Sequence, residues 1–275
     1  FFWKYFYKII QIKYDSHQLK YMFSYSLGLA PAYLGGILLS QIDRVMIGSY
    51  VDNYAAGLYS FAYTLATLQT VFADIFNNSW LPKYYRYMNE KEYKSHDKDV
   101  LIILRIFTLS CCFLMLFGAY IGKILSSKAF HNATELIPLI AIGTFFQSAT
   151  TIYQRHISFS KKTIWTSVVI IFSATFNVIL NVIYIPKYGM YAAAATTLLS
   201  YILRFILTYF VVRYVIKSHY TSMMAVIKVI YPILIGIFIS IYNPQQHFFI
   251  SLFSFITIFI LLFKDIIHKI INRQK

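Results

Sequence analysis

Eight runs of predominantly apolar residues, separated by short polar connectors, constrain this chain more than any other feature. They are Met22–Ile47, Ala55–Trp80, Val100–Gly122, Leu136–Gln154, Thr163–Ile185, Met190–Val212, Met223–Tyr242 and Phe248–Phe263. A helix of about 20 such residues crosses the hydrocarbon core of a bilayer. With no water there, every backbone polar group must be satisfied within the helix itself. The chain is therefore read as all-α, a polytopic bundle of about eight transmembrane helices. Composition agrees, because 59% of the residues are hydrophobic and only 13% charged. Ordinary soluble domains run at about 45–50% and 25%. Disorder and a soluble domain are both excluded. The formal charge of +15 would suggest nucleic acid in a soluble chain, but here the basic residues fall between the apolar runs, and no nucleic-acid partner is expected.

Placement of those charges sets the orientation. Lys and Arg gather on the cytoplasmic side of span ends. Connectors 1–21, 81–99, 155–162, 213–222 and 264–275 together hold 18 of them, against 3 in connectors 48–54, 123–135, 186–189 and 243–247. Both termini are thus expected in the cytoplasm. Tyr84, Tyr85, Tyr87, Tyr184 and Tyr188 are expected in the interfacial aromatic belt. The adjacent Cys111 and Cys112 suit packing and give neither a disulfide framework nor ligand spacing. The sequence opens Phe1-Phe2-Trp3-Lys4, which is expected of a piece of a longer protein.

Polar residues at helical spacing inside a span mark a face turned to protein or water. The fourth span carries Thr144, Gln147, Ser148, Thr151, Gln154 and Arg155; the second carries Thr67, Thr70, Asp74, Asn77 and Asn78. The fifth has Ser173, Asn177 and Asn181, and the sixth Thr197, Ser200, Arg204 and Thr208. A single Ser or Thr there most simply joins two helices. Asp74 and Arg204 are expected in a cavity, since a charge near mid-membrane costs about 2.5–3.5 kcal/mol to insert. Arg105 and Lys228 stand close enough to span ends to snorkel. In the first span Ser24, Gly28, Ala32, Gly36 and Ser40 form a ladder of small residues that permits close helix approach. Asp43 projects onto the same face at about 100° per residue. The Asp43-Arg44 pair is read either as a substrate contact or as a gate or packing ion pair.

Signals for enzyme chemistry fail on context. Asp97-Lys98-Asp99 has the spacing of a metal-nucleotide carboxylate pair, but it stands in a connector of about 19 residues and is expected to be solvated loop. The Gly118–Lys123 segment falls one residue short of a phosphate loop. The seven histidines are scattered in sequence, and no Gly-x-Ser-x-Gly elbow occurs. No enzyme activity, metal or cofactor is expected.

The residues NVILNVIYIPKYGMYAAAATTLLSYILR resemble the signature region of the bacterial polysaccharide transporter family, the lipid-linked O-antigen and capsule flippases of the MOP (multidrug/oligosaccharidyl-lipid/polysaccharide) exporter superfamily. Asn177, Asn181, Ile185-Pro186, Tyr188-Gly189, the Ala192–Ala195 run, Thr196 and Tyr201 carry the likeness. Asp43-Arg44, Ile47-Gly48 and Ala56-Gly57-Leu58-Tyr59 resemble the first helix pair of the family's C-terminal half. Tyr191 stands where the family usually has Gly. Pro186 and Gly189 are read as ending one helix and opening the next in a tight outward hairpin.

The resemblance implies two six-helix lobes related by a pseudo-twofold axis, often with two further helices. On that basis residues 1–21 are a cytoplasmic connector from an N-terminal lobe not in this sequence. Residues 22–216 are the C-terminal six-helix lobe, and 217–275 two additional helices and a cytoplasmic tail. The implied cargo is an oligosaccharide on a polyprenyl pyrophosphate, carried across the bacterial cytoplasmic membrane by alternating access. Membrane lipids, the other lobe and the polysaccharide-assembly machinery are the implied partners. Asn77, Asn78, Gln147, Asn177 and Asn181 would then meet sugars, and Arg204 and Arg155 phosphate. Thr151 would line the lumen, and Asp74 would balance charge or bind a coupling ion. The rivals are a multidrug or cation antiporter of the same superfamily, a polysaccharide polymerase and a non-transporting scaffold. A polymerase would be expected to carry a large outward loop, but the longest outward connector is about 13 residues. An antiporter is expected to be acid-rich in its lumen.

Overall fold

The computed structural model describes residues 15–219, 221–242 and 248–273. Most of the connector expected over 1–21, the connector at 243–247, the end of the tail and the side chain of Ser24 lie outside the described residues. Eight α-helices account for nearly all of the described chain: α1 (Ser16–Tyr50), α2 (Asn53–Glu90), α3 (Tyr93–Leu125), α4 (Ile137–Phe159), α5 (Ile164–Phe210), α6 (Met223–Ile230), α7 (Pro232–Tyr242) and α8 (Phe248–Arg273). A 3-10 segment, Lys128–Leu136, leads into α4, and a π-helical turn, Val211–Ile216, follows α5. Among the described residues, five helical segments are long and apolar enough to cross a membrane by length and composition. Two more, α1 and α2, have the length (35 and 38 residues) but carry more polar residues.

Helix starts follow local chemistry. Asp15 accepts the backbone N–H groups of His17 and Gln18 at the head of α1, and Asp52 accepts that of Ala55 at the head of α2. Such caps satisfy amide groups that the first turn leaves unpaired.

The longest helix is two antiparallel arms. Within α5 only Gly189 leaves helical geometry, at φ 58° and ψ −138°. Asn181 accepts from Thr196, and Asn177 accepts from Asn181 and donates to Thr197 at 3.4 Å. In a straight helix residues 177 and 197 would stand about 30 Å apart, so the chain reverses at Gly189. The helix continues through Pro186; the reversal needs a conformation that only glycine adopts readily. Thus one element supplies the fifth and sixth spans, while α6 and α7 together supply the seventh.

Contacts between helices report their directions. Gly28 and Ser167, Leu39 and Ala174, and Asp43 and Asn181 meet in rising order, so α1 and the first arm of α5 run parallel. Gln69 meets Thr144 and Asn77 meets Thr151, which makes α2 and α4 parallel. Along α3, Thr108, Cys112 and Met115 meet Val229, Pro232 and Ser240 in rising order, whereas Arg105, Phe113 and Phe117 meet Asp265, Phe255 and Phe248 in falling order. The third and seventh spans therefore run parallel and α8 opposes them, consistent with eight alternating crossings.

Close approach uses small residues, though not the whole expected ladder. A Cβ on Gly35 would fall 2.9 Å from Ile170 Cγ2, and one on Gly118 2.5 Å from Ile137 Cγ2. Gly36 is different: nothing stands within 4 Å of where its Cβ would be, so it faces open space and is not a packing residue. Two tyrosines also depart from the aromatic-belt expectation. Tyr84 and Tyr87 are buried, while Tyr85, Tyr184 and Tyr188 remain exposed. Cys111 and Cys112 are free and fully buried in the main core.

Replacing Gly189 by Ala should destabilise the hairpin by about 1–3 kcal/mol, the cost of a strained backbone conformation. Replacing Gly36 by Ala should leave stability equal or slightly raised. Thermal unfolding of the two purified variants beside the parent checks both signs.

Candidate functional site

Two polar features occupy the apolar body, and they lie end to end. The first is a clasp around Asp43, whose carboxylate is 0% exposed. Tyr59 donates to it at 2.7 Å, Asn181 at 2.6 Å, and Thr197 also donates to it. Those donors come from α2 and from both arms of α5. A buried carboxylate in an apolar surrounding needs this degree of satisfaction. The clasp therefore binds three helical segments to α1.

The second feature is a cavity of about 500 Å³ between α1, α4 and both arms of α5. One turn from the clasp, Tyr201 lines its inner end and shares a 2.9 Å hydrogen bond with Tyr63. From there Gln147, Thr151, Gln154, Arg155 and Ser158 run along one side of α4, and Arg204 faces them from α5. Gln154 accepts from Arg204 at 3.4 Å, and Asn78 from Arg155 at 3.4 Å. The facing wall is α1, with Leu29, Ala32, Gly36 and Ile37. Among the described residues two guanidinium groups thus line the space and no carboxylate does, the nearest acidic influence on Arg155 being Asp74 on the exposed side of α2. An anion with a polar body and an apolar flank would find complementary surfaces there, because guanidinium pairs with phosphate through forked, charge-assisted hydrogen bonds.

Expected site residues divide sharply. Gln147, Thr151, Arg155 and Arg204 come together on the cavity. Asn77 is buried beside them, donating to Thr151 Oγ1 at 2.5 Å. Asn177 and Asn181 do not reach the cavity: both are 0% exposed and belong to the clasp. The expectation that they line a lumen is corrected, because the Asn181 amide donates to the buried Asp43 carboxylate and Asn177 is tied to Asn181 and Thr197. Asp74 and Asn78 are exposed on α2, and Asp74 does not line the cavity. Nor do Asp43 and Arg44 form an ion pair among the described residues. Arg44 instead donates to Gln41 and lies over the Tyr63 ring, 4.7 Å from its centroid.

Sequence reasoning put Gln154 on the polar face of the fourth span without assigning it to the cavity, and did not single out Ser158 or Tyr201 as cavity residues. The first two continue the i, i+4 and i+7 stripe of Gln147 on α4, which was the available signal. It also treated Asp97-Lys98-Asp99 as solvated loop. That segment is helical, at the start of α3, and Asp97 gathers His96 and His219 there, the one group of potential metal ligands among the described residues.

Comparison with known proteins gives the architecture a context. A family described as "Polysaccharide biosynthesis protein" matches residues 1–108. Among curated relatives, an uncharacterized membrane protein of Methanocaldococcus jannaschii is 24% identical over 80% of this chain. The "Probable low-salt glycan biosynthesis flippase Agl15" of Haloferax volcanii is 23% identical over 75% of it. A solved structure titled "Lipid II flippase MurJ, inward closed conformation" superimposes on 86% of the chain with a TM-score of 0.57 and 16% identity, a likeness of fold. The likeness is thus to polysaccharide-biosynthesis membrane proteins over the first 108 residues and, in fold alone, to a flippase structure. The chain spans 44% and 43% of the two curated relatives and 53% of the solved structure. Its helices share the fold of that structure, and the cavity and clasp lie within them.

Cysteines introduced singly at Thr151 and Asn177 separate the two features. A water-soluble thiol reagent should modify Thr151→Cys in the folded protein. Asn177→Cys should react only after denaturation, as should the native Cys111 and Cys112. Mass spectrometry of the labelled protein, before and after unfolding, reads the difference.

Proposed function

We propose that this chain is the C-terminal part of a flippase for a lipid-linked glycan, and that the cavity holds the charged head of its cargo. A carboxylate-free lining with two guanidinium groups carries this reading. The cargo is an oligosaccharide joined through pyrophosphate to a polyprenyl lipid, as in O-antigen, capsule or exopolysaccharide repeat units. Arg204 and Arg155 hold the pyrophosphate, Gln147, Gln154 and Thr151 offer hydrogen bonds to the sugars, and the prenyl tail stays in lipid. A carrier of organic cations would be served badly by the same lining.

The polar side of α2 supports the reading from another direction. Thr64, Asp74 and Asn78 are exposed along one helix, which hydrocarbon would penalise. A second lobe of comparable size covers that side, with the cargo path between the lobes and alternating access by their rocking. In this arrangement residues 22–216 form the C-terminal six-helix lobe, 217–275 the additional pair and tail, and 1–21 the link to the other lobe. Basic connectors face the cytoplasm, both ends of the segment with them, in a bacterial cytoplasmic membrane. The work is translocation, with no bond made or broken.

In the full-length protein Arg204→Ala should reduce glycan export at least about tenfold, the loss of one charge-assisted contact of about 1.5–3 kcal/mol, with unchanged membrane levels. Arg204→Lys should retain part of it. Gly36→Trp, which fills the cavity from the apolar wall, should block export without lowering stability. Surface-glycan staining against immunoblotted protein levels checks all three, and normal export by Arg204→Ala and Gly36→Trp together would remove the cavity from the pathway.

A further inference from the structure

At one end of the bundle, on the α3 side of α4, the fold brings together residues that are 123 positions apart. His96 and Asp97 stand in the first turns of α3, and His219 lies in the non-helical link between the π-helical turn and α6. Asp97 Oδ1 is the meeting point: His96 Nδ1 lies 3.1 Å from it, His219 Nε2 2.9 Å and Thr221 Oγ1 2.9 Å. The three ligand-bearing atoms of His96, Asp97 and His219 lie within 4.8 Å of one another. Ligands held about 2.0–2.2 Å from a tetrahedral zinc stand roughly 3.3 Å apart. Small movements would therefore open this group around an ion.

We propose that His96 Nδ1, Asp97 Oδ1 and His219 Nε2 bind a divalent transition-metal ion of the zinc class, clamping the link before α6 to the start of α3. Two imidazoles and one carboxylate form a donor set that such ions prefer, with a fourth position left to water. The surrounding contacts hold the ligands in place, as outer partners of metal sites do. Tyr93 stacks on the His219 ring with centroids 4.3 Å apart, and Thr221 donates to the Asp97 carboxylate. The His96 ring packs against Trp80, Tyr84 and His156.

An independent observation concerns the other nitrogen of His96. The residue is 1% exposed, and its Nε2 is buried with no hydrogen-bond partner. If Nδ1 donates a proton to Asp97, Nε2 is left as a bare acceptor in an aromatic box, which is unfavourable. With a metal on Nδ1 the proton resides on Nε2 instead, where an N–H group meets aromatic rings and gains a weak contact. His156 is occupied differently, 3.2 Å from Ser218 Oγ through Nδ1. Solvent reaches the site through Asp97 and His219, whose side chains are 36% and 25% exposed. The clamp has a place to act: the described residues of the link, 217–219 and 221–222, are non-helical, and the last three helices follow them.

The test uses the full chain, purified in detergent, stripped with EDTA and titrated with Zn²⁺ or Co²⁺. The wild type should retain one equivalent of Zn²⁺ through gel filtration and show the visible absorption of tetrahedral Co²⁺. Zn²⁺ should also raise its unfolding temperature. His219→Ala, in a non-helical segment, and the near-isosteric Asp97→Asn should each weaken binding at least about 100-fold and abolish the thermal shift. Thr221→Val should weaken binding about tenfold, as outer-shell substitutions do. Retention of less than a tenth of an equivalent by the wild type, or equal retention by both ligand variants, would overturn the proposal.

Discussion

A carboxylate sealed inside an apolar bundle is the constraint on which this architecture turns. Asp43 can remain in α1 only if other helices bring it donors, and Tyr59, Asn181 and Thr197 do so from α2 and both arms of α5. Removing one such donor from a buried carboxylate costs about 1.5–3 kcal/mol in soluble proteins. The clasp thereby fixes α1 against α5 at one depth. The Gly189 reversal makes it workable, because it brings Thr196 and Thr197 back beside Asn181 and Asn177.

Immediately beyond the clasp α1 and α5 part, with α4 between them, to form the cavity, and its two walls differ in kind. The α4 and α5 side carries amides, hydroxyls and two guanidinium groups; the α1 side is mostly apolar, with Tyr33 and Ser40 among its residues and an open Gly36. Such an asymmetric space suits a molecule that is itself polar and anionic on one side and greasy on the other. The Tyr63–Tyr201 hydrogen bond closes its inner end. The cavity and the clasp therefore share α1 and α5, separated by about one helical turn.

Much of the fold was legible in hydropathy alone. Eight apolar runs map onto the helices in order, and Gln147, Thr151, Gln154 and Arg155 of the α4 polar stripe reach the cavity, while Thr144 and Ser148 are buried against protein. Asp43 lies on a packed face, as a count of 100° per residue indicates. What periodicity lacks is the identity of the neighbour. The Asn177 and Asn181 stripe is as regular as that of α4, yet it faces a carboxylate on another helix instead of water. Gly36 and Gly35 are adjacent in sequence, but one opens onto the cavity and the other is pressed on Ile170. The His96, Asp97 and His219 group needed the third dimension altogether, since only the return of the chain after α5 places residue 219 beside residue 96.

The central claim is that the arginine-lined cavity takes the diphosphate head of a lipid-linked glycan. A photoreactive amino acid at Gln154 of the full-length protein, in cells that make such lipids, tests it most directly. Mass spectrometry of the irradiated protein should find a polyprenyl diphosphate glycan attached at that position and absent from the same probe at Val178, in the apolar groove between α1 and α5. Capture of the lipid at Val178 but not at Gln154, or at neither position, would contradict the account.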